Sequence, residues 1–259
     1  VDAFEQVIQM PHRFTSAKGA YREPVAEHAL ALSLALMRIL PERARAKQWG
    51  RPFAVSLYDA KVLIVGGGGI TEELLNLLAP FRADVTVIRK RAIGLQGCKT
   101  LTFEGLDAEL PLADLVVITA ALTPETKHLF DARRVGLMKP SAYLVNIARG
   151  PIIKTEDLMS ALDEGVIAGA ALDVTDPEPL PEGHPLWDAK NILITPHTAD
   201  TREMVVRLFS GWLPAIVTLL ALVCSPSFFG HCFNNPKDIP FATGFIMALY
   251  YILKLMNEL

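Results

Sequence analysis

The stretch Lys61–Leu75, KVLIVGGGGITEELL, constrains the fold more than any other part of the chain. A short apolar run ending in glycine suits a strand buried on both faces. TEELLNLLAPF (71–81) then places apolar residues at helical spacing, with Glu72 and Glu73 in the first turn, where the helix dipole favours acids. In a strand–turn–helix of this kind one glycine makes the tight turn and another lets the backbone approach a pyrophosphate. The N–H groups at the helix start then donate to the phosphate oxygens. Gly66 and Gly68 suit those two tasks, and Gly69 and Ile70 complete the candidate cofactor-binding turn. Thr71 stands where glycine or alanine ordinarily allows close helix–strand packing.

The surrounding segments repeat the alternation. DVTVIR (84–89), DLVVITA (114–120), AYLVNIA (142–148), GAALDV (169–174) and NILIT (191–195) read as further strands, with helices over DARRVGLM (131–138) and TEDLMSALDEG (155–165). This pattern predicts an α/β fold, a Rossmann-type doubly wound parallel sheet with flanking helices. The expected divisions are 1–57, a remnant of a substrate domain plus an interdomain helix; 58–199, the dinucleotide-binding domain; and 200–259, an apolar helical segment. AEHALALSLALMRIL (26–40) is apolar on nearly all sides, so burial is expected.

The end of the second strand bears on cofactor choice. An acid there would bind the ribose hydroxyls of NAD, but the sequence reads Arg89, Lys90 and Arg91. Guanidinium and ammonium groups suit the 2′-phosphate of NADP instead. A solvated basic turn is the alternative.

Further on, LTPET (122–126), VNIARG (145–150), AGAALDV followed by Glu178–Pro179, and TPHTA (195–199) occur in order. From about Gly19 to about Leu208 the chain resembles the D-isomer-specific 2-hydroxyacid dehydrogenase family. The resemblance implies interconversion of a small 2-keto acid and its D-2-hydroxy acid, with NADP or NAD as cofactor, in a homodimer. It assigns Arg149 to the substrate carboxylate and the keto oxygen, His197 to proton transfer, and Glu178 to pairing with His197. It assigns Asp173 to the nicotinamide carboxamide, and Ala121, Thr123 and Ala148 to the cofactor cleft, with Thr126 beside them. The chemistry is coherent on its own terms. Hydride addition to a ketone builds negative charge on oxygen, which requires a proton donor and a fixed cation. His12, His28, His128, His184 and His231 are read as packing or surface residues.

Composition narrows the partners. A net charge of −3 without a basic tract gives no case for nucleic acid. Cys98, Cys224 and Cys232 match neither a disulfide framework nor a zinc site, which points to a reducing, cytoplasmic interior and to no metal. Two features depart from the family pattern. Little of a substrate lobe precedes residue 26, and the chain opens on Val1, so a fragment is expected. Leu208–Pro236 contains no Asp, Glu, Lys or Arg, and FATGFIMALYYILKLM (241–256) is a second apolar run. Helices packed on the cofactor domain are the first reading of this tail; a membrane hairpin or a foreign addition are the others. Two functional alternatives to the soluble enzyme follow, a dinucleotide-binding module without turnover and a membrane-attached reductase.

Overall fold

The computed structural model describes residues 19 and 21–199. These lie in one compact unit, Val1–Arg202. The expectations for the N-terminal segment to residue 18 and for the apolar helical segment 200–259 fall outside the described residues.

Two helices come first, α1 (Arg22–Met37) and α2 (Leu40–Arg45). The elements β1 (Lys61–Val65), α3 (Gly69–Leu78), β2 (Asp84–Ile88), β3 (Lys99–Leu101) and α4 (Leu106–Glu109) follow. Then come β4 (Leu115–Ile118), α5 (Ala132–Val135), β5 (Tyr143–Asn146), α6 (Thr155–Asp163), β6 (Gly169–Leu172) and β7 (Ile192–Ile194). Among the described residues the strands form one seven-stranded sheet in the order β3-β2-β1-β4-β5-β6-β7. Every pairing is parallel. The order reverses between β1 and β4, the switch point at which sheets of this kind bind ligands beyond the carboxyl ends of their strands.

The apolar runs explain this architecture. β4, β5 and β6 are buried at every position, as strands covered on both faces must be. Alternate side chains divide between two cores. Leu63, Val65, Val116, Ile118 and Leu144 pack with Leu158, Ala161 and Leu162 of α6. Val62, Ile64, Leu115, Val117 and Val145 pack with Leu74 and Leu78 of α3 and with Val25, Ala29, Leu32, Leu36 and Met37 of α1. Each fully buried Leu, Ile or Met side chain contributes about 1.5–3 kcal/mol.

α1 differs from its expectation in one respect. It is buried along one face only, with Glu27 and Ala31 exposed and Leu30 and Leu34 partly covered. It lies against α3 and the sheet and is part of the cofactor-domain core. Its buried Ser33 hydroxyl donates to the Ala29 carbonyl at 2.7 Å, so the helix carries no unsatisfied polar group there. β3, α2 and α4 have no counterpart in the sequence reading; each is too short to show a period.

Candidate active site

The glycine turn follows β1 as the sequence requires. Gly66 has φ +134°, a conformation that side-chain-bearing residues rarely adopt, and a Cβ there would collide with Thr119 and the backbone of Ala120. Gly68 caps α3 in an extended conformation. The N–H groups of Gly68, Gly69 and Ile70 open the helix without intrahelical acceptors, as the first turn of any helix does. The turn therefore fits a pyrophosphate: it offers donors at a helix start and no side chain at Gly66, Gly68 or Gly69 to obstruct it.

Thr71 is fully buried at the third position. Its hydroxyl donates to the Gly66 carbonyl at 3.1 Å and lies 2.9 Å from the Thr119 hydroxyl. The larger residue is accommodated because both polar ends of the contact are satisfied inside the turn.

Arg89 follows β2 and lies across Gly67, where a Cβ would meet its side chain. Its guanidinium donates to the Ile93 carbonyl at 3.4 Å. Lys90 and Arg91 are exposed beside it. The Glu125 carboxyl is held below its ordinary value, chiefly by a hydrogen bond from Thr123 and least by the charge of Lys90. Glu125 belongs to the turn 121–126. Within it Thr126 is buried, accepts from the Thr123 N–H at 2.7 Å and donates to the Ala121 carbonyl at 2.7 Å. Thr126 thus braces the turn, while Ala121 and Thr123 are exposed on it.

Arg149 emerges just beyond β5, and its side chain is exposed. Its turn is held by Asn146, which is fully buried. The Asn146 amide donates to the Arg149 carbonyl at 3.0 Å and accepts from the Ala148 N–H at 3.0 Å. Ala148 itself is buried. Gly150 then passes directly against the Thr175 carbonyl, leaving no room for a Cβ. This approach brings the chain carrying Arg149 beside the segment that leads to Glu178.

Glu178 and His197 meet as expected, with His197 Nδ1 2.5 Å from Glu178 Oε1. A carboxylate only accepts, so Nδ1 carries the proton and Nε2 is left for another partner. Both side chains are 37% exposed, open enough for a substrate to reach. His197 has φ +52°, in the left-handed region.

Asp173, just beyond β6, supports this loop. Its backbone carbonyl accepts from the His197 N–H at 2.8 Å. Oδ1 accepts from the Thr195 hydroxyl at 2.6 Å and the Thr198 N–H at 2.9 Å; Oδ2 accepts from the Ala199 N–H at 3.1 Å. Burial pushes this carboxyl up, but the bonds from His28, Thr195, Thr198 and Ala199 outweigh it and hold it well below the usual carboxylate range. The side chain has no solvent exposure, and both its oxygens are occupied by these donors. His28, read from sequence as a packing residue, lies with Nε2 3.2 Å from Asp173 Oδ1. Nothing near residue 28 in the sequence signals this; the two are brought together by α1 packing on the sheet.

Taken together, a phosphate-binding glycine turn, a carboxylate–histidine pair and an exposed arginine, all at the carboxyl ends of parallel strands, define a nicotinamide dinucleotide-binding oxidoreductase domain. Residues 29–199 match the family described as D-isomer specific 2-hydroxyacid dehydrogenase, NAD binding domain. The chain belongs to that family, and its cofactor is NAD or NADP. It is 42% identical over 214 residues to a Corynebacterium melassecola protein encoded in the proB 3′ region, covering 80% of this chain and 70% of that one. It is 35% identical over 218 residues to the glyoxylate reductase of Thermofilum pendens, covering 78% of this chain and 64% of the relative. Among solved structures it resembles the D-isomer specific 2-hydroxyacid dehydrogenase of Xanthobacter autotrophicus in complex with NADPH and MES. That match has a TM-score of 0.67 and 30% identity, over 75% of this chain and 66% of that one. The chain thus spans about two thirds of the length of these proteins. Among the described residues no helix is long and apolar enough to cross a membrane.

Proposed function

We propose that this chain is the cofactor-binding and proton-transfer part of an enzyme that interconverts a small 2-keto acid and its D-2-hydroxy acid. The observation that carries the reading is the bond between His197 and Glu178, formed across 19 residues of sequence at the carboxyl ends of the strands. The bound nicotinamide dinucleotide supplies or accepts the hydride. Arg149 offers a planar pair of donors to the substrate carboxylate and a positive charge beside the keto oxygen. His197 gives its Nε2 proton to that oxygen as negative charge builds on it, and recovers a proton from solvent. Glu178 holds the ring through Nδ1 and balances the charge of the imidazolium. In the oxidation direction Nε2 takes the hydroxyl proton instead.

The glyoxylate reductase activity of the Thermofilum relative supports a small 2-keto acid such as glyoxylate or hydroxypyruvate. Arg89 and Lys90 support NADPH as the preferred cofactor. A homodimer belongs to the same proposal: Trp49 is 96% exposed and Phe53 60%, large apolar surfaces that suit a second copy. So does the cytoplasmic setting read from the cysteines. The test is a panel of 2-keto acids with NADPH and NADH, run on this chain and on this chain joined to a substrate domain. Stereospecific reduction to the D-hydroxy acid in either protein supports the reading. Cofactor binding without reduction in both would overturn it, and sedimentation velocity decides the dimer.

A further inference from the structure

We infer that His28 is a positioning residue, which locks the Asp173 carboxylate so that Asp173 can hold the strained loop carrying His197. The inference rests on the proposed function only for its catalytic consequence; the structural claim stands apart from it.

The hydrogen-bond network fixes the tautomer of His28. The Thr195 hydroxyl has one proton, and at 2.6 Å it is given to Asp173 Oδ1. Toward His28, Thr195 Oγ1 is therefore an acceptor, and it lies 3.0 Å from Nε2. Asp173 Oδ1, at 3.2 Å from the same nitrogen, accepts as well. Both neighbours of Nε2 are acceptors, so Nε2 carries a proton and donates it between them. His28 thus closes a three-membered arrangement with Thr195 and Asp173, joining α1 to the ends of β6 and β7.

What this arrangement holds is a backbone that resists its own conformation. A residue other than glycine is strained at φ +52°. Asp173 grips both sides of that residue. Its carbonyl takes the His197 N–H, and its two carboxylate oxygens take the N–H groups of Thr198 and Ala199. The last two bonds persist only while the carboxylate keeps one orientation. The loop amides belong to the segment being held, and Thr195, whose N–H continues the β6–β7 ladder to the Leu172 carbonyl at 2.9 Å, holds the carboxylate only from that ladder. His28 adds an anchor from a separate element, a sixteen-residue helix packed into the sheet core.

The experiment is amide hydrogen exchange on the unmodified chain and on His28→Leu, His28→Asn and His28→Gln, without substrate or cofactor. Leu removes the donor, Asn is too short to reach, and Gln restores a donor at similar length. Thr198 and Ala199, whose N–H groups the carboxylate accepts, are expected to exchange about tenfold faster in the Leu and Asn variants and at the original rate in Gln, with strand amides of β1 and β4 unchanged. In an active enzyme containing this chain, turnover should fall about ten- to a hundredfold in Leu and recover in Gln. Loop amides that exchange at the original rate in Leu and Asn would overturn the inference, as would equal acceleration of loop and strands. If the Leu protein does not fold, the contrast between Asn and Gln carries the test. An enzyme without keto-acid reduction, in which the loop still loosens, would sink the proposed function and leave this inference standing.

Discussion

The hydroxyl of Thr71, at the start of α3, donates to the carbonyl of Gly66, at the end of β1, at 3.1 Å. That one bond stitches the two ends of the phosphate turn together. Thr119 completes it by donating to Thr71, with its 3.4 Å contact to the Val65 carbonyl as the longer alternative. Thr71→Val keeps the shape but removes the hydroxyl, leaving buried groups without partners. The expected loss is about 1–3 kcal/mol of stability, read by urea unfolding. A variant as stable as the original would show that the hydroxyl chain contributes nothing.

Cofactor choice turns on the basic end of β2. NADPH is expected to bind more tightly than NADH by about 1–3 kcal/mol, from a charge-assisted contact to the 2′-phosphate. Arg89→Ala should remove most of the difference, and added salt should shrink it because Lys90 and Arg91 are exposed. Titration of both cofactors measures this. Equal affinities in the unmodified protein would refute it.

The dyad predicts a separation of binding from turnover. In an active enzyme containing this chain, His197→Ala should lower turnover about 10²–10⁴-fold and leave the cofactor dissociation constant nearly unchanged. Glu178→Gln keeps an acceptor for Nδ1 but removes the balancing charge, so its loss should be smaller. Single-turnover kinetics with a separate cofactor titration distinguish the two effects. A His197→Ala enzyme with undiminished turnover would remove His197 from the mechanism.

Asp173 carries a pH signature. Asn at this position presents an amide N–H to one of the loop N–H groups that the carboxylate satisfies, so Asp173→Asn should cost about 1–3 kcal/mol at neutral pH. The carboxyl is held below its unfolded value in the native protein. Its stabilisation is therefore complete above about pH 4, the ordinary value for an aspartate, and is lost as pH falls below that. The stability gap between the two proteins should be flat near neutrality and close in acid. Unfolding curves at a series of pH values test this; a gap that widens in acid would contradict the assignment.

The parallel sheet was legible because its signal is local. The buried stretches VLIV and LVVI are apolar throughout, and the intervening segment 71–81 must repeat with helical period, so neighbouring residues suffice to reveal them. Glu178 and His197 were legible through the order and spacing of motifs, and the fold brings them into contact. Short elements escaped, since three residues of β3 make no pattern. The environment of Asp173 escaped for a different reason. Sequence pointed to a residue that receives a ligand, whereas packing encloses it in donors from α1 and the 195–199 loop. His28 and Asp173 are 145 positions apart by number, and no periodicity relates them. Local composition determined which segments become strands, helices and the glycine turn. Only tertiary packing, of α1 and of the 195–199 loop about the end of β6, decided which buried charge meets which donor, because an unpaired carboxylate in the interior is costly wherever its partners come from in the chain.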